Sequence, residues 1–166
     1  RPPLQLVEQR VHVRAEHRAD GGAELLNAFY DVFAVNMRDL GTPVYPRRLF
    51  AEILEAFPGK AEICVVRQEH RPIAGALLLH GREVTEVPSA SALRAFNHTS
   101  ANMLLYWNLL ERAVQRGQEL FDFGRCTRDS NLMRFKAQWG AVATPAEWQY
   151  HLRSGAVSAM QKESPR

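Results

Sequence analysis

The hydrophobic period changes partway along this chain, and that change constrains the fold more than any other feature. Early on, apolar residues recur at helical spacing. Leu26, Phe29, Phe33, Met37 and Leu40 share one face and predict a helix over residues 23–40, with Gly41 as its stop and Pro43 beyond it. A second helix begins near Pro46, buries Leu49, Phe50, Ile53, Leu54 and Phe57, and ends at Pro58-Gly59. The spacing then tightens to that of strands, in runs at 63–67, 73–80 and 83–88. Residues 68–72 and Gly81-Arg82 are short enough to link these runs as an antiparallel meander, and residues 88–101 read as an irregular loop. A helix over 103–116 follows, with Met103, Tyr106, Trp107, Leu110, Ala113 and Val114 as its apolar face. A strand at 120–123, a helix at 131–139 and an alternating strand at 147–152 complete the order. A strand–helix–strand unit after a meander implies an α/β fold, of the α+β mixed-sheet kind, with helices on both faces. The strand at 120–123 is expected to lie parallel to the one at 83–88, with the 103–116 helix as the crossover.

Length sets the organisation. At 166 residues the chain can bury one core, and it reads as an N-terminal extension or strand over 1–20, a single domain over 21–153 and a polar tail over 154–166. It begins at Arg1 with no signal-like apolar segment, which reads as a trimmed form or a piece of a longer protein. Two cysteines, Cys64 and Cys126, are too few for a disulfide scaffold or a zinc cluster, which reads as a reducing compartment, the cytoplasm. No run of apolar residues is long enough to span a membrane. The net charge of +3 does not announce nucleic-acid binding. The cations are 18 Arg against three Lys, at positions 60, 136 and 162, so each Lys merits inspection.

Several motifs resemble known chemistry. Asp122-Phe123-Gly124 matches the kinase magnesium triplet, but the chain has no glycine-rich loop or His-Arg-Asp loop before it and is too short. Gly124 reads as a turn. Cys126, in the following loop, is either a small structural residue or a thiolate nucleophile activated by Arg125, Arg128 and the next helix start. The six His show no metal-ligand spacing, so no metal site is expected.

The unit from Phe121 to Gly140 packs a strand, a polar turn and a helix start together. Backbone N–H groups at that helix start suit an anion or a developing oxyanion. Lys136 follows on the helix, where a solvent-facing Lys on an amphipathic helix is the plain alternative. Phe135 and Trp139 are four apart and should anchor the helix, which puts Lys136 at the edge of its buried face with the charge at the rim.

Four segments carry a resemblance: Asn36-Met37-Arg38-Asp39-Leu40-Gly41-Thr42-Pro43, Asn102-Met103-Leu104-Leu105-Tyr106-Trp107, Phe121-Asp122-Phe123-Gly124-Arg125, and Arg134-Phe135-Lys136 with Gln138-Trp139-Gly140. With them, the stretch from Phe29 to Leu152 resembles the FemAB-related proteins of the GNAT acyltransferase superfamily, in the branch associated with exosortase and exopolysaccharide systems. The resemblance implies a GNAT fold, the C-terminal one of two such domains in a full-length chain, and transfer of an acyl or aminoacyl group to an amine on an envelope or polysaccharide precursor. It implies that Lys136, next to Phe135, faces the ester carbonyl. Arg125, Asp129 and Ser130 would shape the site, with Asp129 the proton acceptor, and Asn102 and Trp107 would sit at the cleft. The branch usually carries Ser at position 126, Gly-Thr-Tyr at 131–133, Trp at 89 and Pro at 101, so this chain departs from it near the acceptor.

The donor implied is an aminoacyl-tRNA or an acyl-CoA. CoA enzymes of the superfamily hold pyrophosphate on a glycine-rich loop before the main helix, whereas residues 89–102 contain no glycine. This ranks CoA second; Arg94, His98 and the helix start at Asn102 would offer a phosphate the remaining contacts. Two rival readings stand beside the first: a CoA-dependent N-acetyltransferase, and a non-catalytic half that docks a partner domain.

Overall fold

The computed structural model describes residues 13–18 and 22–145. The strand expected at 147–152 and the polar tail lie outside the described residues, as do residues 1–12. The chain forms two compact units that divide after Gly124. The first contains β1 (Val13–Arg18), α1 (Ala23–Asp39), α2 (Arg47–Ala56), β2 (Ala61–Gln68), β3 (Arg71–His80), β4 (Val84–Ala92), a 3-10 helix (Arg94–Thr99), α3 (Ala101–Gln115) and β5 (Leu120–Asp122). The second contains α4 (Asn131–Gln138).

The five strands lie in sequence order in one mixed sheet. β1 to β4 are antiparallel to their neighbours, and β5 runs parallel to β4 with Val84 opposite Leu120 and Glu86 opposite Asp122. The meander and the parallel fifth strand match the sequence expectation, with α3 as the connection between β4 and β5.

Two prolines hid the true strand lengths. The β2–β3 loop is not five residues but two, because Gln68 pairs with Arg71 and Glu69 turns the chain at a left-handed φ of 55°. Pro72 falls inside β3, where a register shift after Val66 accommodates its missing N–H. Likewise β4 does not stop at Pro88. A register shift between Leu77 and Leu79 lets the strand pass the proline, and Ser89 to Ala92 go on pairing with Leu77 to Ala74. The loop expected over 88–101 is therefore strand and then 3-10 helix.

One sheet face carries α1 and α2. Leu25, Leu26, Phe29 and Phe33 of α1 pack with Phe50 of α2 on Ile63, Val65 and Leu77. The rings of Phe29, Phe33 and Phe50 meet at centroid distances of 4.9–5.8 Å. α1 comes close because Gly75 lies beneath it: a Cβ there would stand 3.2 Å from Phe29 Cδ2 and 3.3 Å from the Cys64 carbonyl oxygen.

α3 packs by a face that shares Tyr106 and Ala113 with the one expected but is otherwise different. Ala101, Leu105, Tyr106, Leu109 and Ala113 are buried, whereas Met103, Trp107 and Val114 are exposed. The helix has two apolar stripes, and the one with small residues at both ends lies inward.

That inner side also holds a charged cluster. Glu62 of β2 is fully buried and accepts two hydrogen bonds from Arg112, at Nε and Nη2, both 2.7 Å, and one from Arg116 at 2.5 Å. His80 Nε2 stands 3.7 Å from the carboxylate, and its Nδ1 is 2.9 Å from Thr85 Oγ1. Burial alone would raise the pKa of Glu62, but the Arg112 hydrogen bond, the adjacent His80 and their charges outweigh it and hold the carboxyl well below its ordinary range. Removing one member strands the others without neutralisation, so Glu62→Ala should lower unfolding free energy by about 3 kcal/mol or more in urea titrations. The carboxylate's contribution is complete above its unfolded pKa of about 4.3 and declines as pH falls below that value. Glu62→Gln, having no titrating carboxyl here, should flatten that part of the acid limb when urea midpoints are compared between neutral and acidic pH.

Candidate active site

β5 pairs along its whole length with only the beginning of β4. β5 ends at Asp122 while β4 runs on to Ala92, so the pairing stops at Glu86 opposite Asp122. In a sheet of this kind, ligands bind beyond the carboxyl ends of the parallel strands. Gly124 closes β5 at a φ of 71°, with its N–H on Asp122 Oδ1 at 2.7 Å. A Cβ at Gly124 would meet the Val87 carbonyl at 3.3 Å, so the chain stays near β4 for two residues past the last pair. Gly124 is thus where the chain turns, as its sequence reading had it. The Phe121 and Phe123 rings meet edge to face at 4.8 Å, and Phe123 stacks on Tyr106 at 5.7 Å.

The connection from β4 to α3 bonds to β3 and to itself. Leu93 N–H bonds to the Ile73 carbonyl, Phe96 N–H to Leu93 and Ser100 N–H to Asn97, while Met103 and Leu104 both donate to Ser100. Ser100 turns into α3 at a left-handed φ of 56° and makes no side-chain cap. Only the first-turn N–H groups of Ala101 and Asn102 point out of the helix without an intrahelical acceptor. Asn102 therefore sits within the first turn of α3, one residue past its start, and is half-buried. Trp107 lies five residues on, about 140° round the helix by geometry, and is 60% exposed. The helix does not bring these two sequence candidates together on one face.

In the second unit, Ser130 caps α4: its Oγ accepts the Met133 N–H at 3.1 Å. This side chain, expected to shape a substrate site, is engaged in local structure. Asp129 takes a left-handed φ of 60°, and its N–H faces Met133 Sδ at 3.4 Å. Phe135 and Trp139 meet edge to face at 6.4 Å, as their spacing of four predicts. Lys136 departs from the expectation of a rim lysine. It is 6% exposed, and its Nζ donates to the Arg125 carbonyl at 3.0 Å. That bond runs from the helix back to the first residue after the turn and brings Lys136 and Arg125 together. Cys126 is exposed rather than packed, whereas Cys64 is buried in β2, where burial and the Glu62 charge push its thiol pKa up. Among the described residues, no cluster of His, Cys, Asp and Glu could hold a metal, and no helix is long and apolar enough to cross a membrane.

Sequence reasoning did not single out Glu62, Arg112 and Arg116. A carboxylate in a β-branched run and an arginine pair four apart on the following helix are the signal that was there.

A family model described as an acetyltransferase (GNAT) domain matches residues 4–137. Among curated proteins, none matches the chain. Among solved structures, an aminoglycoside N-acetyltransferase, AAC(6')-Iy, in complex with CoA is similar at 11% identity and a TM-score of 0.70, covering 90% of this chain and 100% of that one. An aminoglycoside acetyltransferase from an uncultured soil metagenomic sample, in complex with sisomicin, is similar at 11% identity and a TM-score of 0.65, over 85% of this chain and 97% of that one. A ribosomal-protein-alanine N-acetyltransferase from Brucella melitensis biovar Abortus 2308 is similar at 14% identity and a TM-score of 0.59, over 87% and 100%. At these identities the likeness is one of fold.

The cap geometry has a direct test. Ser130→Ala should cost about 1 kcal/mol of stability while Ser130→Asp retains most of it, read as a shift in thermal or urea midpoint.

Proposed function

Because the chain belongs to the acetyltransferase (GNAT) domain family and is a transferase, we propose that it moves an acyl or aminoacyl group onto an amine of a cell-envelope or polysaccharide precursor, as FemAB-related proteins do. The observation that carries this reading is Lys136. A lysine withdrawn from water and tied to the Arg125 carbonyl is a preorganised cation. Such a cation is more effective than a solvated one at stabilising an oxyanion.

The reaction written on these residues is aminolysis. The amine nitrogen attacks the acyl carbonyl, the C–N bond forms, and the carbonyl oxygen gains negative charge facing the Lys136 ammonium. Collapse of that intermediate breaks the bond to the donor oxygen or sulfur. The proton lost by the amine passes to Asp129 and from there to the departing group. Arg125 positions Lys136 through its carbonyl, and Ser130 holds the start of the helix that carries it. Phe135 in the second unit, and Asn102 and Trp107 in the first, are the residues assigned to substrate binding in this reading.

The donor follows from the connection before α3. A pyrophosphate cradle needs backbone N–H groups that point outward, whereas here Phe96 and Ser100 bond back within the connection and Leu93 bonds to Ile73 of β3, and residues 89–102 contain no glycine. This connection does not fit a glycine-rich phosphate loop, which supports an aminoacyl donor carried on tRNA over acyl-CoA. In this reading a second GNAT-like domain completes the cleft in the full-length chain, in the cytoplasm. The second reading, a CoA-dependent N-acetyltransferase, is supported by the similarity in fold to the CoA complex of the aminoglycoside enzyme.

Calorimetric titration with acetyl-CoA separates the two. Heat of binding with micromolar affinity would favour the second reading; absence of binding, with turnover of an aminoacyl donor, would favour the first. Lys136→Met keeps the stem and removes the charge. It should cut the rate by about two to three powers of ten. Loss of the hydrogen bond to Arg125 should cost about 1 kcal/mol of stability, and an unchanged rate would remove Lys136 from the mechanism.

A further inference from the structure

α3 has two faces by which a helix could settle on a sheet. Inward lie Leu105 and Leu109, both fully buried, with the small Ala101 and Ala113 at the ends. Met103, Trp107, Leu110 and Val114 recur three and four positions apart and form a second apolar stripe, roughly a third of a turn away. Met103, Trp107 and Val114 of that stripe are exposed. The outer stripe carries the larger side chains, the indole above all, so burial of apolar surface gives the inner face no advantage. The inner side also carries two arginines, which would be a cost there without partners.

The Glu62 cluster supplies those partners. Arg112 donates to both carboxylate oxygens and Arg116 to one of them. Arg116 also donates to the Gly59 carbonyl, and His80 lies on the remaining side of the carboxylate with its other nitrogen on Thr85. Arginines four apart share one side of the helix, so all these bonds hold at one rotation only. A buried charge cluster, taken as a whole, adds little net stability over neutral side chains that fill the same space. What this one fixes is an orientation. Its visible result is Trp107, left 60% exposed on a helix that has another rotation to bury it.

We propose that Glu62, Arg112 and Arg116 are positioning residues: by fixing the rotation of α3 they hold the Trp107 indole out of the core, where a substrate can meet it. This rests on the acyl-transfer reading, in which Trp107 binds substrate. Rolled onto its outer stripe, α3 would keep its helical bonds and lose that surface.

The test labels the 166-residue protein with 5-fluorotryptophan and follows it by fluorine NMR. The Trp107 line is the one lost in Trp107→Phe, and its shift between H2O and D2O reports contact of the indole with water. The unaltered protein should give one exposed line. Glu62→Leu/Arg112→Gln/Arg116→Gln removes the cluster as a unit. It should keep its helical circular dichroism while the Trp107 line loses most of its solvent shift or splits in two. Adding Met103→Gln and Val114→Gln makes the competing stripe polar and should restore the single exposed line, a rescue that general destabilisation does not give. If the triple variant does not fold, Glu62→Gln, which keeps the shape without the charge, is read in the same way. A single, fully exposed Trp107 line in a folded variant lacking the cluster overturns the proposal. So does a folded five-fold variant whose line stays buried. With an aminoacyl-tRNA donor and a water-soluble amine, the triple variant and Trp107→Ala should raise KM for the amine by similar factors, about tenfold, with a smaller change in kcat. A fall in kcat with KM unchanged overturns the positioning role. Absence of transfer by the unaltered protein would count against the transfer reading alone, because the fluorine lines are read without substrate.

Discussion

The Glu62 carboxylate, fully buried in β2 and bonded by two arginines of α3, is the interaction on which the first unit depends. A carboxylate in a strand interior is tolerable only with compensating charge delivered to both oxygens. Arg112 and Arg116 are one turn apart, so they deliver it only when α3 lies at one rotation about its axis. The same rotation turns Leu105 and Leu109 inward and Trp107 outward. Arg116 also reaches the Gly59 carbonyl, which ties the end of α3 to the start of β2. The charge network thus selects between two apolar stripes that hydrophobicity alone leaves nearly equivalent.

With α3 held at its C-terminal end, its N-terminus lies at the end of a 3-10 helix that takes up backbone donors of the connection. The second unit repeats this economy on a smaller scale. Ser130 supplies the cap, Asp129 turns the chain, and Lys136 reaches back to Arg125. The Ser130 and Lys136 side chains each have a local geometric task in addition to any chemical one.

Much of the architecture was legible in the sequence, and the reasons are specific. The change of period at residue 63, Gly41 and Gly59 as stops, and the link from strand to helix to strand were enough to give the meander, the parallel β5 and the pairing of Phe135 with Trp139. The misreadings came from Pro72 and Pro88, which look like strand breakers until a register shift absorbs each of them. The face of α3 was misread because it has apolar residues on two sides, and the choice rests on Glu62, remote in sequence. For the site, Lys136 stood out because lysine is scarce here, but its burial did not, since that depends on tertiary packing. The roles of Ser130 and Trp107 turned on hydrogen bonding and exposure, which spacing does not encode.

Gly75 has a mechanical consequence. The hydrogen in place of its side chain sets how near Phe29 comes to the sheet, so this contact acts as the fulcrum of α1. Asn36 lies seven residues further along the helix, roughly 10 Å away at the usual rise per residue. A rigid rod turns a small tilt at its pivot into a larger swing at its tip. A methyl group at position 75 would therefore be felt less in the core than at Asn36 and Ser91, where α1 meets the end of β4. The geometry at that end of β4 would change while every residue there stayed the same.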